Sequence, residues 1–160
     1  MIRHLPDEAA TRTLAEALAA HQPAGAVVHL HGDLGAGKST LARAWLRALG
    51  VTGTVRSPTY TLVERYPLEG GEALHLDLYR IGDAGELDFL GLDDVEAALW
   101  LVEWPERGAG ALAHATLEIH LAIEGAGRVA DLRPGTAAGE AWLAALTRDS
   151  RLSTLAELKP

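Results

Sequence analysis

The chain has 160 residues, of which 48% are hydrophobic and 22% charged, and this composition predicts one globular domain, 1–160, with a substantial core. Its formal net charge of −8 argues against a free-standing nucleic-acid binder, and the absence of cysteine excludes disulfides and thiolate metal sites. No apolar run approaches the length of a membrane span and the N-terminus has no signal-peptide core, so we expect a cytoplasmic protein that does not contact a membrane.

The first two predicted elements are a helix and a strand. Asp7 is a suitable N-cap for a helix over the segment AATRTLAEALAAH, whose leucines and alanines form an apolar stripe. The apolar run 26–31 predicts the first strand. His29 and His31 share one face of this strand, which could indicate a metal pair, but with no third ligand in view we expect ordinary hydrogen bonds for both.

A glycine-spaced loop follows this strand and precedes a segment with helical periodicity. Residues Gly32 to Ser39 match the pattern G-x-x-x-x-G-K-[ST] in its required strand, loop and helix context. Gly32, Gly35 and Gly37 let the backbone approach phosphates, which the loop N–H groups and the helix N-terminus attract. Lys38 would reach the β and γ phosphates, and the Ser39 hydroxyl would hold Mg²⁺. This phosphate-binding loop, called the P-loop below, therefore predicts a nucleoside triphosphate site.

A missing residue type indicates the base. The sequence contains no asparagine, so the Asn-Lys-x-Asp loop by which many P-loop GTPases bind guanine cannot be present. The only lysine after the P-loop is Lys159, and no aspartate follows it. We therefore expect ATP as the nucleotide.

Three strands are predicted after the P-loop helix. A short strand is expected over 54–56, and the alternation over 61–79 predicts an antiparallel hairpin with a turn at 67–71. His75 and Asp77 fall on one face of its second strand. Spacing alone leaves two roles open for Asp77, one in organising Mg²⁺ or its water and one as a solvent-facing hairpin residue.

A second acidic candidate follows a fully apolar strand. Residues 81–90 predict a loop or short helix, 92–98 a helix, and 99–102 a continuous apolar strand that ends in Glu103. A central parallel strand that delivers a carboxylate at its C-terminal edge is the Walker B pattern. The pattern is common by chance, but the P-loop upstream makes the Walker B interpretation more specific. Glu103 is therefore the candidate acidic residue for the Mg²⁺ site.

The C-terminal part is predicted to contain a second β pair and a helix. The expected elements are a short helix over 105–112, strands over 116–123 and 128–133, and a helix over 140–146. The tail 149–160 could be a helical extension or frayed. Together these elements predict an α/β fold of the P-loop NTPase type. We expect a three-layer sandwich around a mixed, mostly parallel central sheet with an antiparallel hairpin portion.

Four sequence blocks in series resemble the TsaE family, the P-loop ATPases of bacterial tRNA threonylcarbamoyladenosine biosynthesis. The blocks are Gly32–Thr40, Ser57–Val63, His75–Arg80 and Val102–Glu106. Their order and spacing match that family from about Leu5 to Arg133. Two departures are Ser39 in place of threonine, which retains the hydroxyl, and a tail beyond Leu146 without a counterpart.

The resemblance implies a cytoplasmic ATPase that acts with the TsaD and TsaB proteins. Those proteins would transfer a threonylcarbamoyl group to the adenosine beside the tRNA anticodon, and ATP hydrolysis by this chain would drive turnover of the complex. The tRNA would be held mainly by the partners, in agreement with the acidic charge of the chain. We expect slow hydrolysis by the chain alone and stimulation by the partners.

The resemblance also assigns roles to individual residues. Ser39 and Glu103 would hold Mg²⁺, and Asp77 would be needed for hydrolysis. Thr59 would lie in a switch-like loop within reach of the metal or the γ phosphate, and Thr40 would contact the α phosphate. The implied catalytic residues are Lys38, Thr59, Asp77 and Glu103. The implied nucleotide contacts are Asp33, Leu34, Gly35, Ala36, Gly37, Lys38, Ser39, Thr40, Thr11 and Arg128. The last two would border the adenine.

Two other functions are compatible with the same loop. A small-molecule kinase would need a lid with clustered arginines, whereas the arginines are scattered and the stretch 81–94 is acidic. A nucleotide-dependent binding module without turnover would need no catalytic group. Arg56 and Arg80 could supply charge to the transferred phosphate, as an arginine finger does, or could be surface ion-pair partners.

Overall fold

The computed structural model describes residues 1–92 and 94–159, whose eight strands form one mixed sheet. The strands are β1 (Ile2–Leu5), β2 (Ala26–His31), β3 (Val63–Leu68), β4 (Gly71–Asp77), β5 (Leu99–Glu103), β6 (Leu117–Glu124), β7 (Gly127–Pro134) and β8 (Glu157–Leu158). Their order across the sheet is β3-β4-β5-β2-β6-β7-β1-β8. The central strands β4, β5, β2 and β6 are parallel, and antiparallel pairs complete both edges. This mixed sheet confirms the predicted fold class, including both β pairs.

Three α-helices pack against one face of the sheet. They are α1 (Glu8–His21), α2 (Lys38–Ala48) and α3 (Ala137–Thr147). Asp7 caps α1 as predicted, because its carboxylate accepts from the Ala10 N–H at 2.8 Å. Trp45 of α2 and Trp142 of α3 meet edge to face in the core, with ring centroids 5.7 Å apart. Within residues 1–92 and 94–159, no helix combines the length and apolarity needed to cross a bilayer.

The opposite face is covered by short segments. The 3₁₀ helices Ala84–Leu90 and Pro105–Gly108 lie near β4 and β5. Their surroundings form a second apolar cluster that includes Leu76 and Val102. Further along the sheet, the residues of β2 and β6 that point to this face are half-buried or exposed.

Two predicted elements between the P-loop helix and β5 differ from the structure. Residues 54–56 do not form the expected strand, because the Tyr66 hydroxyl pairs with both the N–H and the C=O of Arg56, at 3.1 and 3.2 Å. A side chain thus satisfies backbone groups that a strand would pair with a neighbour. The helix expected over 92–98 lies partly outside the described residues, at position 93. Residues 94–98 are turn and irregular structure.

The two terminal segments form the last strands at one edge of the sheet. β1, which the sequence did not predict, pairs antiparallel with β7, and β8 pairs antiparallel with β1. Arg3 is 6% exposed and lies 3.2 Å from the Glu157 carboxylate, which fixes β8 on β1. The tail is therefore neither a helical extension nor frayed, but the 3₁₀ helix Ser150–Thr154 followed by β8. Residue 160 lies outside the described residues.

Candidate functional site

The glycine-rich loop connects the end of β2 to the start of α2. Gly32, Gly35 and Gly37 have φ angles of 139°, 79° and 105°, which residues with a Cβ rarely adopt. Gly32 has a second constraint, because a Cβ there would collide with the carbonyl oxygen of Leu121 on β6. The loop can therefore pass over the C-terminal edge of the sheet and enter α2 with its N–H groups exposed to an anion.

Lys38, the first residue of α2, is 4% exposed. Its Nζ donates to the carbonyl oxygens of Gly32 and Asp33, at 2.5 and 2.9 Å, and lies 4.2 Å from the ring centroid of Trp104. Burial lowers the pKa of Lys38, while nearby carboxylates, Glu103 foremost, act in the opposite direction. The ammonium is thus held inside the loop, where its charge can stabilise a phosphate.

The Ser39 hydroxyl and the Glu103 carboxylate are in direct contact. Ser39 Oγ lies 2.9 and 3.0 Å from the two carboxylate oxygens, to which it donates. Glu103 is 2% exposed and ends β5, and the strand register places it beside Asp77 of β4. The structure therefore brings the predicted metal pair together at the C-terminal edge of the parallel strands.

His75 contacts the same carboxylate and was not among the predicted site residues. Its Nε2 lies 2.7 Å from Glu103 Oε1, and the side chain is 1% exposed. Because a carboxylate can only accept, His75 Nε2 carries the proton and donates it. The alternation that places His75 and Asp77 on one face of β4 was the available signal, but it does not name Glu103 as the partner. His75 orients the acid that Ser39 also contacts.

Asp77 is buried beside Glu103 and is linked to the loop that contains Thr59. Asp77 is 5% exposed, so it is not a solvent-facing hairpin residue. Its carboxylate accepts from Thr59 Oγ1 at 3.2 Å and from the Tyr79 N–H at 3.1 Å. The Thr59 hydroxyl is also 2.7 Å from that of Ser57. A change in the position of Thr59 would therefore alter the hydrogen bonding of Asp77.

Trp104 follows Glu103 with a strained backbone. Its φ of 55° is in the left-handed region, which costs a residue with a Cβ about 1–2 kcal/mol. The indole lies over the Lys38 ammonium and 4.9 Å from the ring of Tyr79. This geometry makes Trp104 a wall of the site, in addition to any packing role.

A cavity of about 360 Å³ lies over the glycine-rich loop. Its lining includes residues 34–40, Glu103 and Trp104, together with Thr11 of α1 and Arg128 of β7. Arg128 donates to the Gly35 carbonyl at 3.0 Å, so the turn before β7 is fixed against the loop. The cavity thus groups most of the predicted nucleotide contacts; Asp33 is exposed outside the lining.

The two candidate arginines are separate from this cavity. The Arg80 guanidinium lies 4.3 Å from the ring centroid of Tyr60, which is 79% exposed. Arg56 is exposed in the segment before β3. Neither belongs to the described residues that line the cavity.

The fold and the loop together define a P-loop nucleotide-binding protein of the α/β class. The family model described as "Threonylcarbamoyl adenosine biosynthesis protein TsaE" matches residues 5–130, well over half of the chain. The chain belongs to the TsaE family, as the four sequence blocks indicated.

Individual relatives support the same membership, and a solved structure shares the fold. A Haemophilus influenzae protein is 45% identical over 103 residues, which cover 63% of this chain and 65% of that protein. A Synechocystis protein is 40% identical over 109 residues, which cover 64% of this chain and 69% of that protein. Both are named tRNA threonylcarbamoyladenosine biosynthesis protein TsaE. The aligned stretch spans slightly less than two thirds of the H. influenzae relative. The crystal structure of Bacillus subtilus YdiB matches with a TM-score of 0.78 and 26% identity, over 92% of this chain and 94% of that one.

Proposed function

We propose that residues 1–160 act as one ATPase domain that binds ATP with Mg²⁺ and hydrolyses it to ADP and phosphate. The hydrolysis serves threonylcarbamoyladenosine modification of tRNA in the cytoplasm, the pathway in the names of the relatives. The domain acts as an accessory subunit beside the TsaD and TsaB proteins. The contact between Ser39 and Glu103 at the start of α2 carries the proposal.

The donors at this contact fit a magnesium ion. Mg²⁺ takes hard oxygen ligands and usually keeps several waters, so a hydroxyl and one carboxylate are a suitable protein share. Ser39 and Glu103 supply those oxygens within hydrogen-bond distance of each other, and Asp77 lies next to them on the adjacent strand. When bound, Mg²⁺ would neutralise charge on the β and γ phosphates.

The other side chains of the site act on the nucleotide itself. Lys38 gives up its contacts with the loop carbonyls and binds the β and γ phosphates, whose negative charge its ammonium stabilises. Asp77 organises Mg²⁺ or its water, and Thr59 links that carboxylate to the loop that contains Ser57. Thr40 contacts the α phosphate, and Thr11 and Arg128 border the adenine.

The charge of the chain supports an indirect role toward tRNA. With a formal net charge of −8, the chain is poorly suited to hold a polyanion by itself. The TsaD and TsaB proteins would therefore hold the tRNA, and this chain would couple ATP turnover to their cycle. We therefore expect slow ATP hydrolysis by the chain alone and faster hydrolysis with the partner complex.

A magnesium titration of nucleotide binding and phosphate release tests the site. Glu103→Gln should raise the Mg²⁺ concentration needed for half-maximal activity about 10-fold or more, because one charged ligand becomes a neutral amide. Glu140→Gln, an exposed change in the first turn of α3, is the control and should titrate like the wild type. An unaltered titration in Glu103→Gln removes Glu103 from the metal shell.

The same assays separate the two alternative functions. Transfer of the γ phosphate from ATP to a metabolite in place of water would identify a small-molecule kinase. Tight ATP binding without phosphate release, with or without the TsaD and TsaB proteins, would leave a nucleotide-dependent binding module.

A further inference from the structure

Two histidines and a glutamate meet on the sheet face opposite the three helices. His29 and His31 are half-buried on β2, two residues apart and therefore on the same side. The register of the parallel pair β2 and β6 places Glu118 directly beside His29. One potential ligand atom from each of the three residues lies within 4.8 Å of the other two. The third ligand that the sequence did not show is thus supplied by a neighbouring strand.

Each of the two histidines has one ring nitrogen without a hydrogen-bond partner. Nε2 of His29 and Nε2 of His31 are both buried from solvent and unpaired among the described residues. The ordinary hydrogen bonds expected for these two histidines are therefore missing at these atoms. Leaving a buried polar nitrogen unpaired costs free energy, which a bound ligand would recover.

Burial and neighbouring groups act on both imidazoles. Burial lowers the pKa of His29 and of His31, and in each case a neighbouring histidine acts in the same direction. Hydrogen bonding to the backbone of Ala113 acts on His29 in the opposite direction. The Nδ1 of His31 lies 3.8 Å from the Glu106 carboxylate. Backbone and carboxylate groups at the far nitrogen are the usual outer partners of metal-bound histidine.

The surroundings favour a cation over an anion. The carboxylates of Glu118 and Glu106 both raise the pKa of His31, and Arg133 opposes them. His120 stacks on His31 with the rings 4.3 Å apart and 7° from parallel, which fixes the orientation of the ring. His120 Nε2 is 3.4 Å from Glu118, so Glu118 would exchange a weak contact for a metal bond.

We propose that His29, His31 and Glu118 bind one divalent transition-metal ion, with Zn²⁺ as the representative of the class. Two imidazoles and a carboxylate, with water as the fourth ligand, form a common tetrahedral set. Zinc bonds of about 2.1 Å place tetrahedral ligands roughly 3.4 Å apart, so small side-chain rotations would close the cluster. The site is separate from the nucleotide cavity, whose lining contains none of the three residues.

Occupancy of this site has a structural consequence for the P-loop. His31 is bonded to Gly32, where the loop begins, and the metal would cross-link the end of β2 to β6. Such a link would restrain the strand end without contributing an atom to the phosphate site.

A zinc titration of the tag-free chain tests the site. The titration uses a chromophoric chelator as competitor and saturating Mg²⁺, which occupies the oxygen ligands of the P-loop. We expect one Zn²⁺ per chain, and affinity reduced by at least about 100-fold in His29→Gln and in Glu118→Gln. His21→Gln removes a histidine whose partner is Asp149, and it should bind Zn²⁺ like the wild type.

Two further measurements separate a lost ligand from a lost fold. Zn²⁺ should raise the Tm of the wild type and of His21→Gln but not that of Glu118→Gln, although all three fold in its absence. Replacing Zn²⁺ by Co²⁺ should give visible absorption bands that also disappear in Glu118→Gln. Zinc affinity and Tm shifts that are equal in the wild type and in His29→Gln, His31→Gln and Glu118→Gln would overturn the proposal.

Discussion

The hydrogen bond from His75 to Glu103 gives a direct test of how the metal site is organised. His75→Leu removes the donor and places an apolar side chain in a position that is 1% exposed. His75→Gln is the matched control, because its amide N–H extends about as far from the backbone as the imidazole Nε2. We expect the leucine variant to weaken Mg²⁺-dependent nucleotide binding and the glutamine variant to retain most of it.

The size of the effect follows from the contact. The bond is 2.7 Å long and involves a carboxylate that is 2% exposed. A hydrogen bond to a charged group contributes about 1.5–3 kcal/mol, and loss of such an outer partner usually weakens metal binding about 10- to 100-fold. Without His75, Glu103 retains only the Ser39 hydroxyl among its side-chain contacts in the described residues, so it can rotate away from the metal position.

The assay is the binding of a fluorescent ATP analogue at increasing Mg²⁺ concentration. His75→Leu should shift the Mg²⁺ midpoint about 10- to 100-fold upward, while His75→Gln stays within a few-fold of the wild type. Circular dichroism at the assay temperature shows whether each variant is folded. Equal Mg²⁺ midpoints for a folded His75→Leu and the wild type would refute the role of His75 in orienting Glu103.

Two changes outside the metal pair test other parts of the structure by thermal denaturation. Gly32→Ala should destabilise the folded protein by about 3 kcal/mol or more, because backbone strain and the collision with the Leu121 carbonyl add. Gly35→Ala has the backbone strain but meets open space, so it should destabilise the protein by only about 1–2 kcal/mol. Equal losses of stability would contradict the packing of the loop on β6. Asp149→Asn should lower the free energy of unfolding by about 1 kcal/mol at pH 7, since solvent around the half-exposed Arg151 limits the strength of the ion pair. Hydrogen bonding from Arg151 lowers the pKa of Asp149 in the folded chain, so its stabilisation is present above about pH 4 and lost as the pH falls further. The stability difference should therefore shrink toward pH 3, and a constant difference would argue against the ion pair.

The parts of the site that lie within one motif were predictable from the sequence. The glycine spacing of the loop predicts β2, the turn and α2 because each residue type has a local reason for its position. The apolar run before Glu103 likewise predicts a central strand that ends in a carboxylate. Because parallel strands share a C-terminal edge, the proximity of Ser39 and Glu103 could be predicted without knowledge of the full sheet order.

The contacts that depend on strand order and register were not predictable. His75 becomes an outer partner of Glu103 only because β4 is the neighbour of β5. Glu118 joins His29 and His31 because β6 lies on the other side of β2, where the alternation of a single strand gives no information. The prediction of a strand over 54–56 was wrong for a related reason, since Tyr66 on β3 forms hydrogen bonds with the backbone of Arg56.

The proposed function of this chain is ATP hydrolysis at the P-loop under the control of partner proteins. The most direct measurement is phosphate release from ATP and Mg²⁺ by the chain alone and with the TsaD and TsaB proteins. Lys38→Met and Lys159→Met are compared because they remove the buried loop lysine and the exposed one near the C-terminus. We predict slow release by the chain alone, clear stimulation by the partners, loss of both in Lys38→Met and wild-type behaviour in Lys159→Met. No release under either condition, or unchanged release by Lys38→Met, would show that this loop is not an ATPase site.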